Sequence, residues 1–186
     1  MDLDTGSFLP THDGHGPGFP RACRAGFAPI LAILLCLGSS QLRAEDDARA
    51  KLAASVAQGE DLYKRAALIV AEMPTTETEA HRIVVTMGEQ WHEAEHAFQE
   101  SFWPMNENRL DFGDDVQEGM IRIWQFDTFV SNAVGATYAC RNVEAQWQLK
   151  IARQTLLRAK MATQGHPEPG WNPNLGSMPN DNGRCS

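Results

Sequence analysis

The sequence predicts an all-α protein: a bundle of three to four helices followed by an irregular tail rich in Pro, Gly and Asn. Three observations lead there. Apolar residues recur three and four positions apart through most of the chain, the period of one helix face. No useful length of chain alternates apolar and polar residues as a half-buried strand does. Helix breakers gather near the end, with four Pro, four Gly and four Asn in residues 164–186, a composition that builds no core. Otherwise the 186 residues are 42% hydrophobic and 22% charged, which is ordinary globular usage. A net charge of −8 argues against a nucleic-acid binder, because such a protein needs a positive surface to displace counterions.

Residues 1–44 read as an export signal. Residues 27–37 (FAPILAILLCL) are uncharged, Arg21 and Arg24 precede them, and Leu42-Arg43-Ala44 offers a cleavage site after Ala44. Eleven apolar residues are too few to cross the roughly 30 Å hydrocarbon core as a helix. The mature chain, residues 45–186, is therefore expected to hold no stable membrane span and to be periplasmic or secreted. Asp2, Asp4 and Asp13 do not suit a leader, so translation is expected to start downstream of Met1. Cys36 follows the large Leu35 rather than the small residue that lipidation needs, so no acyl anchor is expected there.

The first mature helix starts near Glu45 and carries Leu52, Val56, Leu62, Ala66, Ile69 and Met73 at helical spacing. Gly59 is expected to kink or split it, and Pro74 to end it. Thr76 with Glu79 three residues on is a capping box. It opens a second helix whose stripe is Ile83, Val84, Met87, Trp91, Ala94, Phe98 and Phe102. Trp103-Pro104 should stop that helix, leaving residues 104–113 as a loop. Asp114 and Asp115 open the third helix, since carboxylates favour the positive helix end. Ile123, Phe126, Val130, Val134 and Tyr138 form its stripe. Ser131, Gly135 and Ala139 are small residues four apart, a pattern that lets a second helix approach closely. After a break near Arg141-Asn142, a heptad-like seam runs through Ala145, Leu149, Ala152, Leu156 and Ala159. Residues 45–163 make the bundle domain.

One short motif carries candidate chemistry. His92-Glu93-Ala94-Glu95-His96 matches H-E-x-x-H. In zinc peptidases this pattern lies on a helix; the two His ligate zinc and the Glu is general base on the metal-bound water. On that reading Glu93 is catalytic, His92 and His96 hold zinc, and Glu118 or Asp115 on the next helix supplies the third ligand. Three features oppose it. No downstream residue has a diagnostic flanking pattern, Glu95 puts a charge inside the motif, and no strand is available to pair with a peptide. The helical wheel opposes it too: the His pair points roughly 145° away from the apolar stripe. The motif therefore reads first as a solvated polar face, and second as an exposed metal site, since paired imidazoles at i, i+4 bind zinc, nickel or copper. Glu89-Gln90-Trp91-His92 and Glu93-Ala94-Glu95-His96 also match E-x-x-H, but a di-iron bundle needs those motifs on two helices and here both share one.

Cys140 and Cys185 are the cysteines of the mature chain, and an exported protein is expected to join them. The mature Trp residues (91, 103, 124, 147, 171) and Met73, Met87, Met120 and Met161 read as packing residues. The functional expectation is an exported, non-enzymatic helical protein that acts by binding or assembly in the cell envelope, with an unknown protein partner or with itself. The alternative is a zinc-binding protein or zinc-dependent hydrolase built on His92, Glu93 and His96. Amino-terminal sequencing of the exported protein should read from Glu45; recovery of residues 27–37 in a membrane fraction would overturn the leader.

Overall fold

A computed structural model describes residues 28–107, 112–166 and 183–186, with side chains from residue 43 onward. The chain divides into two units, residues 1–39 and 40–186. In the first, the described residues are helical from Ala28. Four α-helices and no strand occur among the described residues: α1 (Ala28–Ala71), α2 (Glu77–Glu107), α3 (Asp114–Tyr138) and α4 (Asn142–Thr163). No helix among the described residues is long and apolar enough to cross a membrane. The apolar run 27–37 and Cys36, and in the tail Trp171 and its four prolines, lie outside the described side chains.

The predicted stripes meet in one core. Leu52, Val56, Leu62, Ala66 and Ile69 of α1 are buried with Ile83, Trp91, Phe98 and Phe102 of α2, Val116, Met120, Ile123, Phe126, Val130 and Val134 of α3, and Ala152, Leu156 and Ala159 of α4. The seam of α4 thus packs within the bundle. Cross-helix pairs fix the topology. Arg49 meets Asp115, Gln99 meets Asp127, and Glu60 meets Lys160. So α1 runs parallel to α3, while α2 and α4 run the other way, the up-down-up-down order that short connections favour.

Local signals set the helix ends. Thr76 Oγ1 accepts from Glu79 N at 3.2 Å, and Glu79 accepts from Thr76 N at 3.2 Å, closing the expected capping box. At the end of α3, Cys140 adopts φ 57°. Arg141 N donates to Ala136 O at 2.8 Å and Cys140 N to Thr137 O at 3.0 Å. This is a Schellman closure with Cys where Gly is usual. Gly165 (φ 69°) closes α4 by the same pair of bonds, to Met161 O and Ala162 O.

The disulfide joins Cys140 to Cys185. Ser186 N and Oγ both donate to Thr75 O at 3.1 Å, and Asn142 Nδ2 donates to Pro74 O at 2.8 Å. One end of the bundle therefore gathers the α1–α2 turn, the α3–α4 turn and residues 183–186.

Five expectations are corrected. Gly59 does not break α1. It is buried where all four helices meet: a Cβ there would lie 2.9 Å from Leu156 Cδ1 and 3.2 Å from both Phe126 and Phe98. Pro104 does not stop α2, which runs on to Glu107. Proline removes one backbone bond, but burial of Phe102 and Met105 on either side of it and the stacking of Trp103 on Phe102 (5.4 Å, 23°) carry the helix past it. Gly135 and Ala139 are exposed and receive no neighbouring helix, and Ser131 meets α2 through its hydroxyl. A Cβ at Gly135 would meet nothing within 4 Å; close approach on α3 uses Ala133 and Ala136 beside Ala145 and Val70 instead. Val84 and Met73 are exposed rather than core, Met73 because it ends α1 in a left-handed conformation (φ 44°). Of the tryptophans, Trp91 is buried, whereas Trp103 and Trp124 are almost half exposed.

The two glycines should respond oppositely to alanine. Gly59→Ala overpacks the four-helix junction and should lower stability by about 1–3 kcal/mol. Gly135→Ala meets open space and should raise it by up to about 1 kcal/mol. Urea unfolding checks both. Non-reducing electrophoresis should show a compact monomer that slows on reduction.

Candidate functional site

The His motif lies where the wheel puts it. Trp91 and Phe98 are 2% and 1% exposed, while the His92 and His96 side chains are both 72% exposed. Glu93 is exposed with them. His92 Nδ1 lies 3.5 Å from Glu95 Oε2, and His96 Nδ1 lies 3.6 Å from Glu100 Oε1.

The carboxylates named as third ligands are held elsewhere. Asp115 accepts from Arg49 Nη1 at 2.9 Å. Burial opposes its charge, but Arg49 and backbone N–H groups hold the carboxyl below its ordinary range. Glu118 pairs with Arg122 at 2.5 Å. Because α2 and α3 are antiparallel and Gln99 stands opposite Asp127, Asp115 and Glu118 sit on the order of 20 Å along the bundle from His96. Among the described residues no three His, Cys, Asp or Glu side chains are grouped to hold a metal. The structure thus brings His92 and His96 to one face of α2 and brings neither Asp115 nor Glu118 to them.

A second polar group, which sequence reading missed, lies just inside this face. Asp127 of α3 is only 8% exposed. Gln99 Nε2 donates to both its oxygens, at 3.1 and 3.3 Å. One turn away, Ser131 Oγ donates to Glu95 Oε1, whose side chain is 18% exposed. The hydroxyl of Tyr138 is buried in the same region with no hydrogen-bond partner among the described residues. Burial pushes the Asp127 carboxyl up to about 6, with Glu95 pushing the same way and the Gln99 bond opposing. Burial and then Glu95 also raise the Tyr138 phenol. Among the described residues, no cation acts on either group. The signal for Asp127 was present in its spacing. It stands four after Ile123 and three before Val130, inside the apolar stripe of α3, although a charged residue there reads at first as a mark of a wet face.

Chemically, the arrangement combines two acceptor carboxylates, neutral donors and an outward imidazole. It joins α2 to α3 and leaves a net negative charge at their seam. Comparison with protein families, with curated proteins and with solved structures finds no match for this chain, so its functional reading rests on its own residues.

Asp127 should oppose folding at neutral pH. Its folded value of about 6 exceeds the ordinary carboxyl value of about 3.9, so the folded chain binds more protons between those limits. Its contribution to stability therefore improves as pH falls through 6 and levels off below about 4. Asp127→Asn should raise stability at pH 7 by on the order of 2 kcal/mol, with the advantage fading by pH 4. Chemical denaturation across that range checks it; an equal shift at pH 4 and pH 7 would refute it.

Proposed function

We propose that the chain is exported and acts by assembly, through the outward face of α3, without catalysing a reaction. The observation that carries this reading is the absence of charge on that face. From residue 121 to 139 the exposed positions are Ile121, Trp124, Thr128, Asn132, Gly135 and Ala139, a stretch of about 27 Å. Trp124 is 48% exposed, and the open space over Gly135 would admit a close neighbour. In a chain of net charge −8 most encounters between copies bring like charges together. This face lets two copies meet without that cost, and a second copy is the partner it suits best. The small residues Gly135 and Ala139, both exposed on this face, support the same reading.

Export is supported by the leader-like residues 1–44 and by the Cys140–Cys185 disulfide, a bond that persists in oxidising compartments. The zinc-dependent hydrolase alternative is the second reading; with Asp115 paired to Arg49 and Glu118 to Arg122, it rests on His92, Glu93 and His96 alone. Light scattering on the mature protein should give a dimer. Gly135→Arg should give a monomer of unchanged helical content. A wild type that stays monomeric at high concentration would overturn the assembly reading.

A further inference from the structure

The His pair on α2 is more than an isolated surface pattern. At i, i+4 the two rings stand on adjoining turns, about 5–6 Å apart at Cβ. Each turns Nδ1 toward a carboxylate: His92 toward Glu95 at 3.5 Å and His96 toward Glu100 at 3.6 Å. That leaves each Nε2 on the far side of its ring. Metal-ligating histidines are oriented in this way, with a carboxylate behind the ring nitrogen that does not bind. The support behind His92 extends across the bundle, because Glu95 is itself held by the Ser131 hydroxyl of α3. Among the described residues, the Glu95 and Asp127 carboxylates at this seam accept hydrogen bonds from the neutral donors Ser131 and Gln99, so the local charge is negative. A cation bound at His92 would face it.

We propose that His92 and His96 form an open site for one borderline divalent transition-metal cation of the zinc type, with both Nε2 atoms as protein ligands and water completing the coordination. Imidazole nitrogen selects such cations. Hard cations such as calcium need six or more oxygen ligands, which this face does not offer. Glu95 is a positioning residue for His92, and Ser131 positions Glu95. The site does not depend on the assembly reading, since it lies on α2 and needs a single chain.

Titration of the purified protein with zinc chloride, followed by calorimetry, tests the proposal. The wild type should bind one equivalent in the micromolar range that is lost in His92→Ala and in His96→Ala. Glu95→Gln should weaken that equivalent about tenfold, and Ser131→Ala should weaken it in the same direction. His81→Ala, at another exposed position of α2, should leave it unchanged, and calcium chloride should give no saturable heat. Because both His side chains are largely exposed, their variants should keep the wild-type helical content. Zinc should raise the thermal midpoint of the wild type and not of His96→Ala, since only a folded helix presents both rings together. Retention of the equivalent in His96→Ala, or equal affinity in wild type and Glu95→Gln, would overturn the site.

Discussion

The structure depends on a glycine. At Gly59 the side chains of Phe98, Phe126 and Leu156 come within reach of one backbone position on α1, so all four helices close on a point where a methyl group would force its neighbours to shift. Around it Phe98 meets Phe126 edge to face at 5.4 Å and 82°, and Phe98 meets Phe102 at 5.1 Å. Aromatic rings in such geometry add to the burial energy of the pairs. A glycine within a helix costs about 1 kcal/mol relative to alanine. Here that cost secures the close approach of three large side chains, and interiors packed to crystal-like density tolerate little substitution at such a point. Gly119 repeats the device one end away, between Leu52 and Ala162.

The polar group at the α2–α3 seam works against this economy. Asp127 occupies a core-facing position and accepts from the neutral Gln99 amide, so among the described residues its charge is buried without an opposite charge to offset it. A larger apolar residue at that point would stabilise the bundle more simply. Residues that cost stability without an evident structural return cluster at sites that serve some other end. Asp127 stands opposite Gln99, one turn along α3 from the Ser131 that holds Glu95 behind the outward imidazole of His92, which ties that cost to the face of α2.

Sequence periodicity and punctuation made most of the fold legible. Thr76 with Glu79, Pro74, Asp114 with Asp115, and the break at Arg141 each carry a local physical signal, and the helix boundaries follow them. Where reading failed, packing overrode a local rule. Pro104 should end a helix, yet Phe102 and Met105 are both buried and hold the turn together. Gly59 should weaken a helix, yet its missing side chain is what the neighbours need. Ser131, Gly135 and Ala139 have the spacing of a contact, but spacing does not say which face turns inward. At the site, the exposure of His92 and His96 followed from the wheel. The partnership of Glu95 with Ser131 did not, because it joins residues 36 apart in the chain through a register that only the packed core fixes.

The two ends of the bundle are closed by different chemistry. At one end a covalent bond from Cys140 to Cys185 and hydrogen bonds from Ser186 N and Asn142 Nδ2 to the Thr75 and Pro74 carbonyls tie the turns together. At the other, Arg49 spans Glu45 and Asp115 at 3.3 and 2.9 Å, in partly exposed ion pairs that dissolved salt screens. The two ends therefore answer to different solvent conditions. Added electrolyte weakens the Arg49 pairs and leaves the cysteine bridge intact, whereas a thiol reductant does the reverse.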